Sequence, residues 1–313
     1  MSENIILIKG PTASGKTDLA ISLLEEFPIE IVSVDSVMVY KGLNIGTAKP
    51  SDALLKKYPH HLVNICEPHE NYSVGQFYQD VSKAIQLIVK KGKVPLLVGG
   101  TMMYFRAIQQ GLSNLPTSNA SLREQIETEA RINGWPYMHG KLKEVDPISA
   151  KKIKPTDKQR IERALEVYQI SGKPISQHHK EKSKSLNYNY FNISLIPTIR
   201  SKLHSIIANR LETMIDEGLV DEVRVLLNSE QVNSTCNSMK SVGYKQICQY
   251  LINSCTLEEA KEDAKTSTRR LAKRQLTWLR SESSNIEIDI HSDSIIDKSK
   301  SALDTFLNKN IHD

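Results

Sequence analysis

Eight consecutive residues near the amino terminus have the types and the spacing of a phosphate-binding loop. They fit the pattern G-x-x-x-x-G-K-[ST] and are Gly10, Pro11, Thr12, Ala13, Ser14, Gly15, Lys16 and Thr17. Glycines allow backbone N–H groups to turn towards an anion, and a helix that starts at the loop adds unpaired donors and partial positive charge. Lys16 would reach the outer phosphate, and the Thr17 hydroxyl would bind Mg²⁺. The loop therefore predicts a bound di- or triphosphate without specifying which one.

An apolar run precedes this loop and an amphipathic stretch follows it. Residues 5–8 predict a buried strand, and residues 18–26 place Leu19, Leu23 and Leu24 on one face of a helix. A strand, a glycine-rich loop and a helix in this order are the setting that the motif requires. An ordinary glycine-rich turn is therefore disfavoured.

Two other predicted strands end in residues that could act on the same ligand. The run over 30–34 ends at Asp35, and the run over 96–98 leads into Gly-Gly-Thr at 99–101. Ligands of open α/β sheets bind beyond the carboxyl ends of the strands, so we expect both ends to face the crevice of the phosphate loop. Asp35 could serve as a general base, bind Mg²⁺ through water, or cap a turn. The small residues at the other end could admit a ligand or form a tight turn, and the absence of an acidic residue there disfavours an ATP hydrolysis engine.

The composition is that of a soluble globular protein of about two domains. The chain has 313 residues, of which 39% are hydrophobic and 25% charged. No run approaches the roughly 18 apolar residues of a membrane span, and the amino terminus leads directly into a strand, so we expect neither a membrane anchor nor a signal peptide. Cys66, Cys236, Cys248 and Cys255 lack C-x-x-C spacing, and we expect them to be reduced thiols in the cytoplasm.

The net charge of +5 is concentrated in two segments of the chain. Residues 140–184 carry 12 Lys and Arg against 6 Asp and Glu, and residues 261–280 carry 7 against 2. Such segments are expected on surfaces that meet a polyanion. Solvated basic helices would have the same composition, so charge alone leaves both interpretations open.

Residues 112–195 have the features of a helical insertion into the core. We expect a helix over 122–132, and the pair Thr156 and Gln159 predicts a capping box that opens a second helix. Residues 175–188 predict a mobile basic loop. Its basic side chains are His178, His179, Lys180, Lys182 and Lys184.

The order of these elements predicts an α/β fold, a P-loop NTPase-like parallel sheet flanked by helices with a helical insertion domain. The predicted catalytic core is 1–111 with 196–313. The elements expected after the insertion are a strand over 191–196, a long helix that carries Arg210, a helix over 266–280, a strand over 286–290 and a helix over 294–307.

An ordered series of segments resembles the bacterial tRNA dimethylallyltransferases, also called tRNA isopentenyltransferases. The series extends through nearly the whole chain, which makes a chance match of one motif an inadequate explanation. The segments are GPTASGKT at 10–17, VDS at 34–36 with Tyr40, IGTAKP at 45–50, VGGT at 98–101, QR at 159–160 with RALEV at 163–167, VGYK at 242–245 and KRQLTWLR at 273–280.

The resemblance implies transfer of a dimethylallyl group from dimethylallyl diphosphate to N6 of the adenine immediately 3′ of the anticodon. The tRNAs concerned read codons that begin with U, and diphosphate is released. The catalytic residues implied are Asp35 as the base, Lys16 and Arg210 on the diphosphate, and Thr101 as a positioning group. Mg²⁺ on Thr17 is the implied cofactor, and the adenine is expected to leave the anticodon-loop stack.

The resemblance also implies a set of contacts with the tRNA anticodon stem-loop, made by a monomer in the cytoplasm. Both basic segments would then grip the RNA, mostly through phosphates. The implied contact residues are Asp35, Ser36, Val37, Met38, Thr101, Arg123, Gln159, Arg160, Ile161, Glu162, Arg163, Lys240, Ser241, Val242, Gly243, Tyr244, Lys245, Lys273, Arg274, Gln275, Leu276, Thr277, Trp278, Leu279 and Arg280.

The chain departs from the family pattern at three points. Many relatives have Gln at the position of Met38 and a second Arg at the position of Ile206, which affects base and diphosphate contacts respectively. From the cysteine count we expect no zinc-finger tail like that of the eukaryotic relatives.

Three other functions compete with this interpretation. A P-loop nucleotide or small-molecule kinase could use Asp35 as its base and the insertion as its lid, although a nucleoside substrate would not need two basic segments. A prenyltransferase acting on free adenylate would favour AMP over tRNA. A noncatalytic RNA-binding module would lose nothing when Asp35 is replaced.

Overall fold

In a computed structural model, which describes residues 3–181 and 186–309, six strands form one sheet in which every pair is parallel. The strand order is β3-β2-β4-β1-β5-β6. The strands are β1 (Asn4–Lys9), β2 (Ile29–Val34), β3 (His60–His61), β4 (Val94–Gly99), β5 (Asn189–Ile196) and β6 (Ile286–Asp289). The parallel sheet flanked by helices confirms the predicted fold class.

The register of the three central strands brings the predicted site residues to one edge. Lys9 of β1 and Val34 of β2 both lie opposite Gly99 of β4. The three strands therefore end at the same level, and the residues that follow each of them begin at the same edge of the sheet. This confirms that the phosphate loop, Asp35 and the turn after β4 share one end of the sheet.

Fourteen helices surround the sheet or lie in the insertion, within the two described ranges. They are α1 (Lys16–Leu24), α2 (Asp52–Lys57), α3 (Val74–Lys90), α4 (Met102–Gln110), α5 (Ala120–Asn133), α6 (Trp135–Val145), α7 (Pro147–Lys152), α8 (Lys158–Ser171), α9 (Ile175–His178), α10 (Arg200–Asp216), α11 (Leu219–Leu227), α12 (Tyr244–Leu251), α13 (Leu257–Leu279) and α14 (Ile295–Lys309).

The core beside the sheet is built from nearly continuous apolar strands, as expected for strands covered on both faces. Leu19 and Leu23 of α1 and Leu303 of α14 are buried in one cluster with residues of β1, β2, β4 and β5. Phe191 of β5 stacks on Phe306 of α14 with ring centroids 4.7 Å apart. These contacts fix the strand that leads into the phosphate loop.

The chain forms two compact units, Met1–Arg106 with Asn187–Asp313 and Ala107–Leu186. The insertion predicted at 112–195 has different boundaries. Its end is too late because residues 189–194 pair with β1 as part of β5. Its predicted start at residue 112 is also too late, because the second unit begins at Ala107. This boundary lies inside α4, so no loop marks it in the sequence.

Helix α13 is longer than the sequence predicted. It begins at Leu257, where Thr256 accepts from Glu259 N in a capping box, and not at residue 266. The first part is mostly charged, and only Ala260 and Ala264 are buried there. Two alanines give a weak apolar periodicity, which explains why the helix start was missed.

In the described part of the second unit, α5 to α9 pack around a separate apolar cluster, which includes Ile126, Leu142 and Leu165. Helix α8 begins one residue later than predicted, because Asp157 and not Thr156 caps it by accepting from Arg160 N at 3.3 Å. The prediction of a capping box formed by Thr156 and Gln159 is therefore wrong.

The basic stretch at 175–188 also differs from the predicted mobile loop. Residues 175–178 form α9 and bury His178, whereas His179 and Lys180 are exposed. Lys182 and Lys184 lie outside the described residues.

The longest helices are too polar to cross a bilayer. Among the described residues, none of the helices is both long and apolar enough for a membrane span.

Candidate functional site

A crevice of about 440 Å³ opens at the carboxyl ends of β1, β2 and β4. Its volume lies in the range that small-molecule ligands occupy. The phosphate loop from Thr12 onwards forms one wall, and Asp35, Gly100, Arg210 and Gln275 also line it. The structure therefore brings Lys16, Thr17, Asp35 and Arg210 into one cavity. The resemblance implied the same grouping.

The phosphate loop has the backbone conformation of an anion cradle. Gly15 has φ +73° and is the N-cap residue of α1, and Ala13 has φ +62°. A left-handed backbone at a non-glycine residue such as Ala13 is uncommon and is typical of functional loops. The N-cap of α1 has no side-chain hydrogen bond, so the first-turn N–H groups are suited to an anionic ligand.

Lys16 is folded back onto its own loop. Its Nζ donates to the Pro11 carbonyl at 2.6 Å and to Ser14 Oγ at 3.4 Å. Burial lowers the pKa of Lys16 to about 8; the carboxylate of Asp35 opposes this shift and the guanidinium of Arg210 adds to it. Because burial disfavours its charged form, the Lys16 ammonium would be stabilised by an incoming anion.

Asp35 caps the turn after β2. Its Oδ1 accepts from Val37 N at 2.8 Å and from Met38 N at 3.1 Å. Thr101 joins the two strand ends, because its hydroxyl accepts from Ser36 N at 3.2 Å and its own N–H donates to Val34 O at 3.3 Å. The turn-capping role that the sequence left open is therefore present.

Arg210 supplies the second positive charge of the crevice. Its guanidinium donates to Thr47 O at 3.5 Å from its position on α10. Burial lowers the pKa of Arg210, and the carboxylates of Asp35 and Asp18 oppose that shift. Arg210, Lys16 and Asp35 are therefore close enough to influence one another electrostatically.

Glu222 fixes the loop that carries Thr47, and sequence reasoning missed it. Its carboxylate accepts from Asn44 N at 3.0 Å, Ile45 N at 2.8 Å and Gly46 N at 3.2 Å. It also accepts from the Tyr244 hydroxyl at 2.6 Å. An acidic residue in the first turn of α11 is ordinary for a helix, so no local signal marked it.

Tyr244 belongs to the core and not to an RNA-binding surface. It is fully buried, and a Cβ at Gly46 would meet its ring at 2.5 Å. The resemblance counted Tyr244 among the tRNA contacts as a member of a range. Within that range, Ser241, Val242 and Gly243 line the crevice, and the exposed side chains are Lys240 and Lys245.

Helix α13 has three distinct faces. Thr268, Leu271 and Gln275 line the crevice. The side chains on the core face are Ala272, Leu276 and Leu279. The exposed side chains of its last turns are Arg270, Lys273, Arg274, Thr277 and Arg280.

Arg270, Lys273, Arg274 and Thr277 lie off the buried stripe of α13. Leu276 and Leu279 were included among the tRNA contacts, but their burial assigns them to the core. Trp278 lies under the guanidinium of Arg106, 5.6 Å from its ring centroid.

Comparison with known proteins identifies the family. The sequence profile of the family described as IPP transferase matches residues 38–282. Two relatives named tRNA dimethylallyltransferase, from Thiobacillus denitrificans and Nitrosomonas eutropha, are 45% and 48% identical to this chain. The alignments cover 93% of both chains in the first pair, and 88% of this chain and 87% of the relative in the second. The chain belongs to the IPP transferase family.

Solved structures agree with the family assignment. The crystal structure of a tRNA isopentenylpyrophosphate transferase from Bacillus halodurans matches with a TM-score of 0.71 and 33% identity, covering 100% of this chain and 97% of that one. A eukaryotic dimethylallyltransferase, described as acting on tRNA, matches with a TM-score of 0.81 and 25% identity over 99% of this chain and 79% of that one.

In this member of the IPP transferase family, a buried carboxylate organises the arginines of the second unit. Glu166 is fully buried and accepts from Arg123 Nε at 2.9 Å, Arg163 Nη1 at 2.5 Å and Asn119 N at 2.8 Å. Arg163 also donates to Pro116 O at 2.8 Å. Both arginines are therefore held in defined positions while remaining partly exposed.

The other second-unit residues implied as tRNA contacts have mixed environments. Gln159 and Arg160 are exposed, and Glu162 is half-buried, which raises its pKa. Ile161 is fully buried in the cluster of that unit and is corrected to a core residue.

The crevice offers isolated oxygen donors for a metal ion, and not a cluster of metal-ligating side chains, among the described residues. Among the described residues, no group of three or more His, Cys, Asp or Glu side chains could hold a metal ion. Thr17 and Asp35 both line the crevice with hard oxygen donors, which are the donors that Mg²⁺ prefers.

Proposed function

We propose that the protein transfers a dimethylallyl group from dimethylallyl diphosphate to N6 of the adenine immediately 3′ of the anticodon, in tRNAs that read codons beginning with U. The observation that carries this proposal is the crevice in which Lys16 and Arg210 face the Asp35 carboxylate. The names of the relatives support the substrate pair. Diphosphate is the second product.

The cations of the crevice would stabilise the leaving group. When the C–O bond of the allylic diphosphate breaks, its electron pair and the developing charge move to the diphosphate. Lys16, Arg210 and the start of α1, which border the crevice, would offset that charge, and preorganised charges of this kind stabilise a leaving group strongly.

Asp35 would act on the adenine. Its Oδ1 is used by the turn, and we assign Oδ2 to the exocyclic amine. N6 attacks the allylic carbon, the new C–N bond replaces the C–O bond, and the N6 proton passes to the carboxylate. Thr101 would help to hold the Asp35 carboxylate in position, because its hydroxyl accepts a hydrogen bond from the neighbouring Ser36 N.

Mg²⁺ is the proposed cofactor, and the residues present fit it. The Thr17 hydroxyl would hold it together with diphosphate oxygens and water, a ligand set typical of this ion. When bound, Mg²⁺ supplies additional charge neutralisation on the diphosphate.

The anticodon arm is the proposed RNA partner. Unpaired loop bases are accessible to proteins, and the target adenine has to leave the loop stack to enter a crevice. The exposed basic face of α13 and the arginines of the second unit are placed on surfaces that phosphates could contact. Such a substrate indicates a cytoplasmic enzyme, and a monomeric state stays a prediction.

The proposal is tested by incubating the protein with Mg²⁺, unmodified tRNA and radiolabelled dimethylallyl diphosphate, followed by nucleoside analysis. We expect label on N6 of the adenine beside the anticodon. Label on free AMP in preference to tRNA would indicate a free-adenylate prenyltransferase. Phosphate transfer from ATP to a nucleoside, without prenyl transfer, would indicate the kinase, which the family assignment disfavours.

Replacement of Arg274 by alanine is expected to weaken tRNA binding and to leave the chemical step intact. Arg274 is exposed on α13 and points away from its core face. Loss of one phosphate contact should reduce affinity about tenfold at low salt and lower the slope of log Kd against log salt by about 1. Filter binding across a salt series, with Lys83→Ala on the exposed side of α3 as the control, measures both quantities. A fall in the single-turnover rate at saturating tRNA, with unchanged affinity, would refute the assignment.

The affinity for dimethylallyl diphosphate is expected to fall as the pH rises through about 8. The pKa of Lys16 is about 8, so its charge is present below that pH and lost above it. Because the anion binds the protonated form, affinity should decrease by up to about tenfold per pH unit above the pKa. Titration calorimetry between about pH 6.5 and 9.5 measures the affinity for dimethylallyl diphosphate at each pH. The variant Lys16→Met is the control, because any pH dependence that it retains comes from ionisation of the ligand or of other groups. Equal pH dependence in both proteins would contradict the prediction.

A further inference from the structure

One side-chain amide connects the basic helix to both sides of the crevice. Gln275 Oε1 accepts from Thr12 N at 2.9 Å, and Gln275 Nε2 donates to Gly100 O at 2.9 Å. Thr12 belongs to the phosphate loop, and Gly100 follows β4. The residues that Gln275 joins are therefore 263 and 175 positions away in the chain.

The amide approaches the backbone at Gly100 closely. A Cβ at Gly100 would lie 2.5 Å from Gln275 Nε2 and 3.2 Å from Gly10 O. A glycine is thus required at position 100 for the amide to approach, and the interaction depends on a fit that one methyl group would disrupt.

The chain just after α13 is also anchored to β1, the strand that leads into the phosphate loop. Glu282, just after the helix, pairs with Lys9 at 2.6 Å, and Lys9 is almost completely buried at the end of β1. Two connections, one at Lys9 and one at Thr12, therefore fix the position of α13 relative to the phosphate loop.

We propose that Gln275 is a positioning residue that sets the distance between the RNA-binding face of α13 and the diphosphate in the phosphate loop. The proposal rests on the proposed function, in which α13 brings the adenine and the loop brings the allylic carbon. It replaces the implied role of Gln275 as a tRNA contact, since both ends of its amide are used within the protein. Small errors in the placement of reacting atoms reduce rates strongly even when both substrates are bound.

The first test replaces Gln275 with Met, which has a similar length and helix propensity and cannot form either hydrogen bond. The single-turnover rate at saturating tRNA and dimethylallyl diphosphate should fall by about tenfold or more. The Kd values for tRNA and for dimethylallyl diphosphate, each measured alone, should change by less than about threefold. The control variant Lys83→Ala, on the exposed side of α3, should change neither the rate nor either Kd.

The second test uses Gly100→Ala, whose Cβ displaces the amide while residue 275 remains Gln. This variant should reproduce the slow single turnover, and the double variant should be no slower than the slower single variant, because both remove the same interaction. Multiplicative effects of the two changes would overturn the proposal.

Other results separate the alternatives. A weaker tRNA affinity in Gln275→Met with a normal rate would make Gln275 an RNA contact and overturn the positioning role. A lower Tm with an unchanged rate and affinities would make it a packing residue only. If the wild-type protein transfers no prenyl group, the proposed function itself fails, and this outcome is recognised before any variant is compared.

Discussion

Replacement of Lys16 by alanine is expected to abolish measurable turnover while the protein remains folded. The ammonium is the titratable group of the phosphate loop and lies at the start of α1, where alanine is well tolerated. Among the described residues its hydrogen-bond partners are Pro11 and Ser14 of its own loop, so its removal breaks no hydrogen bond between distant elements there. Loss of a preorganised charge on the leaving group should reduce the single-turnover rate by about 10³-fold or more.

The measurement is single-turnover prenyl transfer at saturating dimethylallyl diphosphate, with thermal unfolding as the check on folding. Lys56→Ala is the matched control, because Lys56 is exposed on α2 and lies outside the crevice lining. Lys16→Arg keeps the charge but replaces a compact ammonium with a planar group, so it should restore binding better than rate. A Lys16→Ala rate within tenfold of wild type would mean that the diphosphate does not bind in this loop.

The parts of the site that the sequence predicted are those defined by short segments. The phosphate loop carries its own pattern, and the apolar runs of β1, β2 and β4 place Asp35 and Thr101 at one edge through the general geometry of parallel sheets. Nothing in these predictions depended on contacts between distant residues. For this reason they agree closely with the structure.

The parts that the sequence did not predict depend on such distant contacts. Glu222 holds backbone N–H groups about 177 positions earlier, and Gln275 reaches Thr12 over 263 positions. Both residues lie in helices where their types are unremarkable, so propensity and periodicity give no indication of their partners. Tyr244 illustrates the reverse error, since a residue within a recognised motif proved to be a core residue that supports a loop.

Asp35→Asn is expected to lower the rate of prenyl transfer by about 10² to 10⁴-fold with little effect on tRNA affinity. The structure gives the carboxylate two separable roles. Its Oδ1 caps the turn at Val37 and Met38, and an asparagine carbonyl can accept the same two hydrogen bonds. The amide cannot take the N6 proton, so only the proposed chemical role is removed.

Asp35→Ala removes the cap as well as the base, and comparison of the two variants assigns the effects. Single-turnover rates and tRNA Kd values are measured for both, together with the Tm. We expect Asp35→Ala to be as inactive as Asp35→Asn and, in addition, to have a lower Tm, because a lost turn cap costs about 1 kcal/mol. If Asp35→Asn were fully active while Asp35→Ala were impaired, the carboxylate would be a turn cap only. The proton of N6 would then have to leave through another group of the crevice.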